Sequence, residues 1–176
     1  MTEVVEYRPA SYGDTESIAV LHAENWRRAY RGNFRDEYLD SDVFSERRNV
    51  WDARLRHPAA NQYVCVAVQS ARVVGFVCVF GAHDSEWGSF IDNLHVHADV
   101  ERLGIGSALM RKAGSWLSSE FPNERAYLFV WEFNPAQALY ERLGGLNAGI
   151  AEIENPGGGV GRYWRYVWER PHQLAA

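Results

Sequence analysis

The stretch Val100–Leu117, VERLGIGSALMRKAGSWL, places two glycines, Gly104 and Gly106, one residue apart where an amphipathic helix is about to begin. Glycine costs a helix interior up to about 1 kcal/mol relative to alanine, and it is favoured where something must come close to the backbone. The segment just before, SFIDNLHV, alternates as a strand does. A strand that delivers a glycine turn into a helix start makes an anion site. The first N–H groups of the helix have no internal partner, and the helix dipole adds about half a positive charge there. Arg102 adds a cation beside them. Two familiar phosphate motifs do not fit. A dinucleotide fingerprint wants a third glycine where Leu109 stands, and no G-K-[ST] follows to make a P-loop. By itself the pair also suits a tight helix entry that binds nothing.

Working outward, the chain divides into elements in the order β-α-α-β-β-β-α-β-α-β-β. VVEYRP reads as a short strand, and DTESIAVLHAENWRRAY as a helix opened by Asp14 or Thr15. A second helical region runs from about Asp36 to Arg56 and stops before Pro58. YVCVAVQ and RVVGFVCVF form a hairpin joined at Ser70–Ala71. After the glycine helix come the strand AYLFVWEF, the short helix NPAQALYERLGG, and two strands, LNAGIAEIE and GRYWRYVW, around NPGGGV. The hairpins favour antiparallel pairing, whereas the strands flanking the glycine helix can lie parallel through a crossover. The expected fold is α+β (α/β mixed): a central, mostly antiparallel twisted sheet of about seven strands with helices on both faces. No repeat or linker divides it, so residues 1–176 read as a single domain.

Composition narrows the function. The 176 residues are 47% hydrophobic and 23% charged, with a formal net charge of −5, which argues against a generic nucleic-acid binder. No apolar run reaches the roughly 18 residues of a membrane span. The start MTEVVEYRPA has no basic and apolar regions of a signal peptide, so a cytoplasmic location is expected. Cys65 and Cys78 sit in apolar strands and read as buried free thiols. His95 and His97 share a strand face, but two histidines without a third ligand make no metal site.

Over about residues 91–145 the chain resembles the GCN5-related N-acetyltransferases. Their Q/R-x-x-G-x-G/A signature, which holds the pyrophosphate of acetyl-CoA, is read here as Glu101-Arg102-Leu103-Gly104-Ile105-Gly106, with Glu101 in place of the usual Gln or Arg. The resemblance implies acetyl-CoA as cosubstrate, no metal, and a cofactor site made of Leu94, His95 and Val96 on the strand, Arg102 to Ser107 on the turn, and Asn134. Leu94–Val96 match the strand whose backbone pairs with the pantetheine arm, and Tyr140 matches the tyrosine near the sulfur. Asn134 stands one residue closer to that tyrosine than in many members, and it also reads as a helix cap before Pro135.

Acetyl transfer needs a neutral amine and a proton donor for the leaving thiolate. Tyr140 is the expected acid. With reference pKa values of about 10 against 8.5, full proton transfer is uphill by about 2 kcal/mol, so it acts by hydrogen bonding. Asp92 and Glu86 rank first as general bases because they approach the Leu94–Val96 strand, with Glu132 and His95 behind them. The aromatic residues Trp26, Tyr30, Tyr38, Trp51, Tyr163, Trp164 and Trp168 read mainly as core, although such a wall could receive a small-molecule amine or a peptide N-terminus. A non-catalytic acyl-CoA-binding or sensor module on the same fold is the rival reading, and a nucleotide-binding module a third. The late strands are a candidate surface for a homodimer.

Overall fold

A computed structural model describes residues 4–176, so the first three residues of the expected 1–176 domain lie outside the described residues. In chain order the elements are β1 (Glu6–Pro9), α1 (Thr15–Ala29), α2 (Val43–Arg56), β2 (Gln62–Gln69), β3 (Arg72–Asp84), β4 (Gly88–Val96), α3 (Ile105–Glu120), β5 (Ala126–Trp131), α4 (Gln137–Arg142), β6 (Leu146–Glu154), β7 (Val160–Trp168) and α5 (His172–Ala175). The element order expected from the sequence is observed, with α5 added at its end. The strands form a seven-stranded sheet in the order β1-β2-β3-β4-β5-β7-β6. All neighbours are antiparallel except β4 and β5.

The expected hairpin turns at Ser70 and Ala71, whose φ angles of 48° and 62° match the twist of a two-residue turn. In α1 a Tyr12–Asp14 turn precedes the helix, and the Asp14 carboxylate accepts from the Ser11 N–H and pairs with Arg8. The Asp36–Arg56 helical run contains a wide π segment, Tyr38–Asp42.

Two clusters of side chains cover the two sheet faces. The buried stripe Ile105, Leu109, Met110, Ala113 and Leu117 of α3 lies against Val77, Val79, Ile91, Leu128 and Val130. Each leucine fully removed from water there contributes about 1.5–3 kcal/mol. On the other face Ile18, Leu21 and Trp51 of α1 and α2 meet Val64, Val66, Phe76 and Cys78, all from β2 and β3. Cys65 and Cys78 are buried free thiols. No described helix is long and apolar enough to cross a membrane.

One irregularity shapes everything that follows. Cys78 faces Asn93 and Val79 faces Ile91, so Asp92 is an extra residue in β4. Such a bulge bends its strand and increases the local twist. The parallel β4–β5 ladder is limited to Ser89–Ala126 and Phe90–Tyr127. Past the bulge the two strands diverge and a cleft opens between them.

Candidate functional site

The cleft has a volume of about 980 Å³. Its walls are Ile91–Val96 of β4, Leu128–Val130 of β5, the end of α1 with Asn25, Trp26 and Tyr30, the turn around Gly104, and Tyr140 of α4. Because these elements belong to both faces of the sheet, the gap opens onto both.

The β4 edge is prepared for an extended partner. In an antiparallel ladder alternate residues exchange both amide bonds with the neighbouring strand. His97 N–H donates to Val74 O at 2.8 Å, and two residues back His95 faces Phe76 in the same phase. The amide groups of Leu94 and Val96 therefore turn away from β3, toward the missing part of β5. Asn25 Nδ2 donates to Val96 O at 2.9 Å, which leaves Leu94 N–H, Leu94 C=O and Val96 N–H for a ligand.

The glycine turn supplies donors without acceptors. The first helical bond runs from Ala108 N–H to Gly104 O at 3.0 Å, and among the described residues no backbone acceptor takes the N–H groups of Arg102 through Ser107. Gly104 has φ +84° and nothing within 4 Å of where a Cβ would stand, so glycine is there for the left-handed backbone and the space beside it is empty. At Gly106 a Cβ would sit 3.4 Å from Leu139 Cδ2, an ordinary contact. Arg102, itself at φ 63°, lines the cleft. A diphosphate fits this set of donors, cation and space.

The structure brings together most of the residues expected at the site. Leu94, His95, Val96, Arg102, Gly104, Gly106, Ser107, Asn134, Tyr140 and Asp92 all line the cleft. The side chains of Leu103 and Ile105 do not, since Leu103 is exposed and Ile105 is buried under α3, so only their amides serve the turn. Asn134 Oδ1 accepts from Ala136 N–H at 2.9 Å, the cap interaction, although the regular helix begins only at Gln137. Its side chain also lies near enough to the Tyr30 phenol to oppose in part the rise that burial causes there.

Glu86 requires a correction. It lies exposed in the turn between β3 and β4, where Asp84 Oδ1 accepts the N–H groups of Glu86 and Trp87 at 2.8 and 2.9 Å. That turn folds Glu86 outward, away from the cleft. Glu132 is likewise not part of the lining; its carboxylate faces Arg162 at 3.4 Å. Asp92 reaches the cleft, but its carboxylate is held by Arg54 at 2.7 Å. Arg54 in turn donates to Asn93 Oδ1 at 3.1 Å and lies over Trp51 and Phe80.

The Tyr140 ring is buried, packed on Tyr166 and Trp168, and burial alone pushes its phenol well above the usual tyrosine value. Among the described residues no group bonds its hydroxyl. The Tyr30 phenol is raised for the same reason, with Tyr163 and Tyr140 nearby as further causes. His95 is pushed down to about 3 by burial, with Arg47 and Arg28 adding to it. His22 lies well below its usual value, again chiefly by burial. The two rings stand 4.5 Å apart. Trp51 Nε1–H donates to His22 Nδ1 at 3.0 Å, so the proton of neutral His22 sits on Nε2, which is buried without a partner. Glu101, at the first position of the turn motif, pairs with Arg28 of α1, and both line the cleft.

Asn25 and Arg28 were the residues that sequence reasoning missed, and Tyr30, read there mainly as core, lines the cleft. The available signal was a polar residue, Asn25, on the buried face of α1, which is apolar apart from Thr15 and His22.

The family model described as acetyltransferase (GNAT) family matches residues 23–145. No curated protein matches the chain. Among solved structures, the PaiA N-acetyltransferase of Thermoplasma acidophilum, determined with coenzyme A, is 15% identical, with 92% of this chain and 98% of that one covered and a TM-score of 0.69. A GCN5-related N-acetyltransferase of Rhodopseudomonas palustris is 15% identical over 95% of this chain and 97% of that one, with a TM-score of 0.74. Arabidopsis thaliana NAA60, determined with a bisubstrate analogue, is 21% identical over 94% and 98%, with a TM-score of 0.70. At these identities the likeness speaks for the fold.

Proposed function

The chain belongs to the GNAT acetyltransferase family, and on that premise we propose that residues 1–176 form one domain that moves the acetyl group of acetyl-CoA to the primary amine of a small molecule or a peptide N-terminus. The observation that carries this reading is the run of N–H groups from Arg102 to Ser107, left without protein acceptors at one end of a cleft whose wall holds the Tyr140 hydroxyl.

Acetyl-CoA supplies an activated thioester: the amine lone pair forms the new C–N bond, the C–S bond breaks, and the proton lost by the amine balances the one gained by the departing sulfur. The turn amides and Arg102 hold the diphosphate, and charge-assisted bonds of this kind are about twice as strong as neutral ones. Leu94 and Val96 pair with the pantetheine arm as one strand pairs with another. Asn25, by fixing Val96 O, keeps that edge straight. Tyr140 remains protonated throughout the working pH range because burial raises its phenol, so it donates a hydrogen bond to developing thiolate charge. His95 stays neutral above pH of about 3 and adds no positive charge beside an incoming amine. Asp92, neutralised by Arg54, can orient an ammonium group without stabilising it strongly enough to hold its proton.

The test joins binding to turnover. At a hundredfold excess over Kd, acetyl-CoA adds about 2.7 kcal/mol of stability, read as a rise in Tm, and an amine panel then shows release of free thiol. Binding with no turnover on any amine would favour the acyl-CoA sensor, and no binding would overturn both.

A further inference from the structure

The β5–β7 half of the sheet has one face without a helix. Leu128 and Val130 of β5, with Trp164, Tyr166 and Trp168 of β7, pack toward α3. By strand alternation Phe129, Tyr163 and Arg165 turn to the opposite face, and no residue of β5 or β7 belongs to the cluster that α1 and α2 build there. Phe129 lines the cleft and pairs in register with Arg165. The Arg165 guanidinium lies 4.1 Å from the Trp87 ring centroid and 5.1 Å from that of Phe129. Its Nε–H is sealed from solvent and has no acceptor.

This cation is unusual for its setting. The carboxylates of the cleft are taken, Asp92 by Arg54 and Glu101 by Arg28, while Arg102 at the turn and Arg142 of α4 line it as cations without an ion pair among the described residues. Among the described residues no carboxylate lies within ion-pair distance of Arg165. Asp84 is near, but its carboxyl is held down first by the Trp87 and Glu86 amides, with Arg165 the last of the influences on it. Two aromatic rings against the guanidinium fix its plane and leave the planar fork of N–H groups, the geometry that matches a carboxylate with two parallel bonds.

We propose that Arg165 is the specificity residue of the acceptor site, and that the acceptor is a small amine carrying a carboxylate, which docks on Arg165 beside Phe129 while its amine enters the cleft. The proposal rests on the acetyl-transfer reading. A dicationic amine or a lysine-rich peptide would meet the wrong sign of charge, whereas a carboxylate would complete the donor set.

Matched acceptors test it: a series of primary amines of graded chain length, each made as the carboxylate, the carboxamide and the diamine, assayed with acetyl-CoA on the wild-type chain, Arg165→Met and Arg165→Lys. Met keeps the apolar stem between Trp87 and Phe129, and acetyl-CoA binding monitors the fold of each variant. At the best chain length the wild type prefers carboxylate over carboxamide by about tenfold to a hundredfold, the range of a hydrogen bond to a charged group. Arg165→Met removes that preference by lowering kcat/KM on the carboxylate alone, and Arg165→Lys restores it only in part. Equal use of carboxamides or diamines, or an equal loss on all three acceptors in Arg165→Met, would overturn the assignment while leaving acetyl transfer standing. Absence of transfer to every acceptor, with acetyl-CoA bound, would instead overturn the acetyl-transfer reading and this one with it.

Discussion

Replacing Tyr140 by phenylalanine separates chemistry from packing with unusual clarity. The ring is 7% exposed and rests on Tyr166 at 5.9 Å and on Trp168 at 6.4 Å, contacts that phenylalanine retains. Among the described residues none hydrogen-bonds the hydroxyl, so its removal leaves no orphaned partner there. The hydroxyl faces the cleft, where water can meet it, and Tyr140→Phe is therefore close to neutral in urea unfolding. The catalytic effect is large. A positioned donor to a leaving group contributes about 10² or more, so kcat falls by about a hundredfold, or about 2.7 kcal/mol of barrier. Acetyl-CoA affinity stays within a factor of about two, because the hydroxyl serves charge that exists only during transfer. The assay is steady-state thiol release with calorimetric binding on the same preparations. A kcat unchanged within threefold would remove Tyr140 from the chemistry. A loss of stability above about 2 kcal/mol would show that the hydroxyl is a structural donor after all.

Gly104→Ala must force an L side chain to φ +84°, at a cost of about 1–2 kcal/mol, and its methyl would enter the empty space beside the turn, so unfolding stability falls and acetyl-CoA affinity falls by at least tenfold. Gly106→Ala places its methyl in ordinary contact inside a helix and gains up to about 1 kcal/mol in stability, which urea titration of the two variants resolves. Acid should weaken the fold early. His22 and His95 have folded-state values below the ordinary 6.5, so their contribution is complete above pH 6.5 and is lost as pH falls below it, for His95 down to about 3, by up to about 1.4 kcal/mol per pH unit. Unfolding free energies at pH 7.5, 6.5 and 5 check this, and a flat profile across that window would contradict the neutral histidine pair.

Much of the fold was legible because its periodicities are strong. The α3 stripe, the β2–β3 hairpin and the alternating β4 each declared their type, and the element order followed. The insertion of β7 between β5 and β6 was not legible, since hairpin logic says that β6 and β7 pair but not which of them faces β5. The four-residue α5 is too short to produce a periodic signal. At the site, the glycine pair stood out by its spacing and Tyr140 through the resemblance to the acetyltransferases, whereas Glu86 was misplaced because proximity in sequence stood in for proximity in space. The Asp84 turn bends the chain away within two residues. The bulge at Asp92 left no mark in the pattern, and it sets the direction of β4. Arg165 was hidden for a different reason: in GRYWRYVW it is one of two arginines in an aromatic strand, and only the register with Phe129 and the approach of Trp87 set it apart from Arg162.

Hydrogen exchange at the amides of Arg102 through Ser107 addresses the diphosphate site most directly. Without ligand those N–H groups have no protein acceptor, so they exchange at rates close to those of an open loop. Saturation with acetyl-CoA should protect several of them together, along with Leu94 and Val96 N–H, while coenzyme fragments lacking the diphosphate protect the β4 pair alone. Amides already protected in the free protein, or unchanged when acetyl-CoA is bound, would contradict the assignment of this turn as the grip on the cofactor.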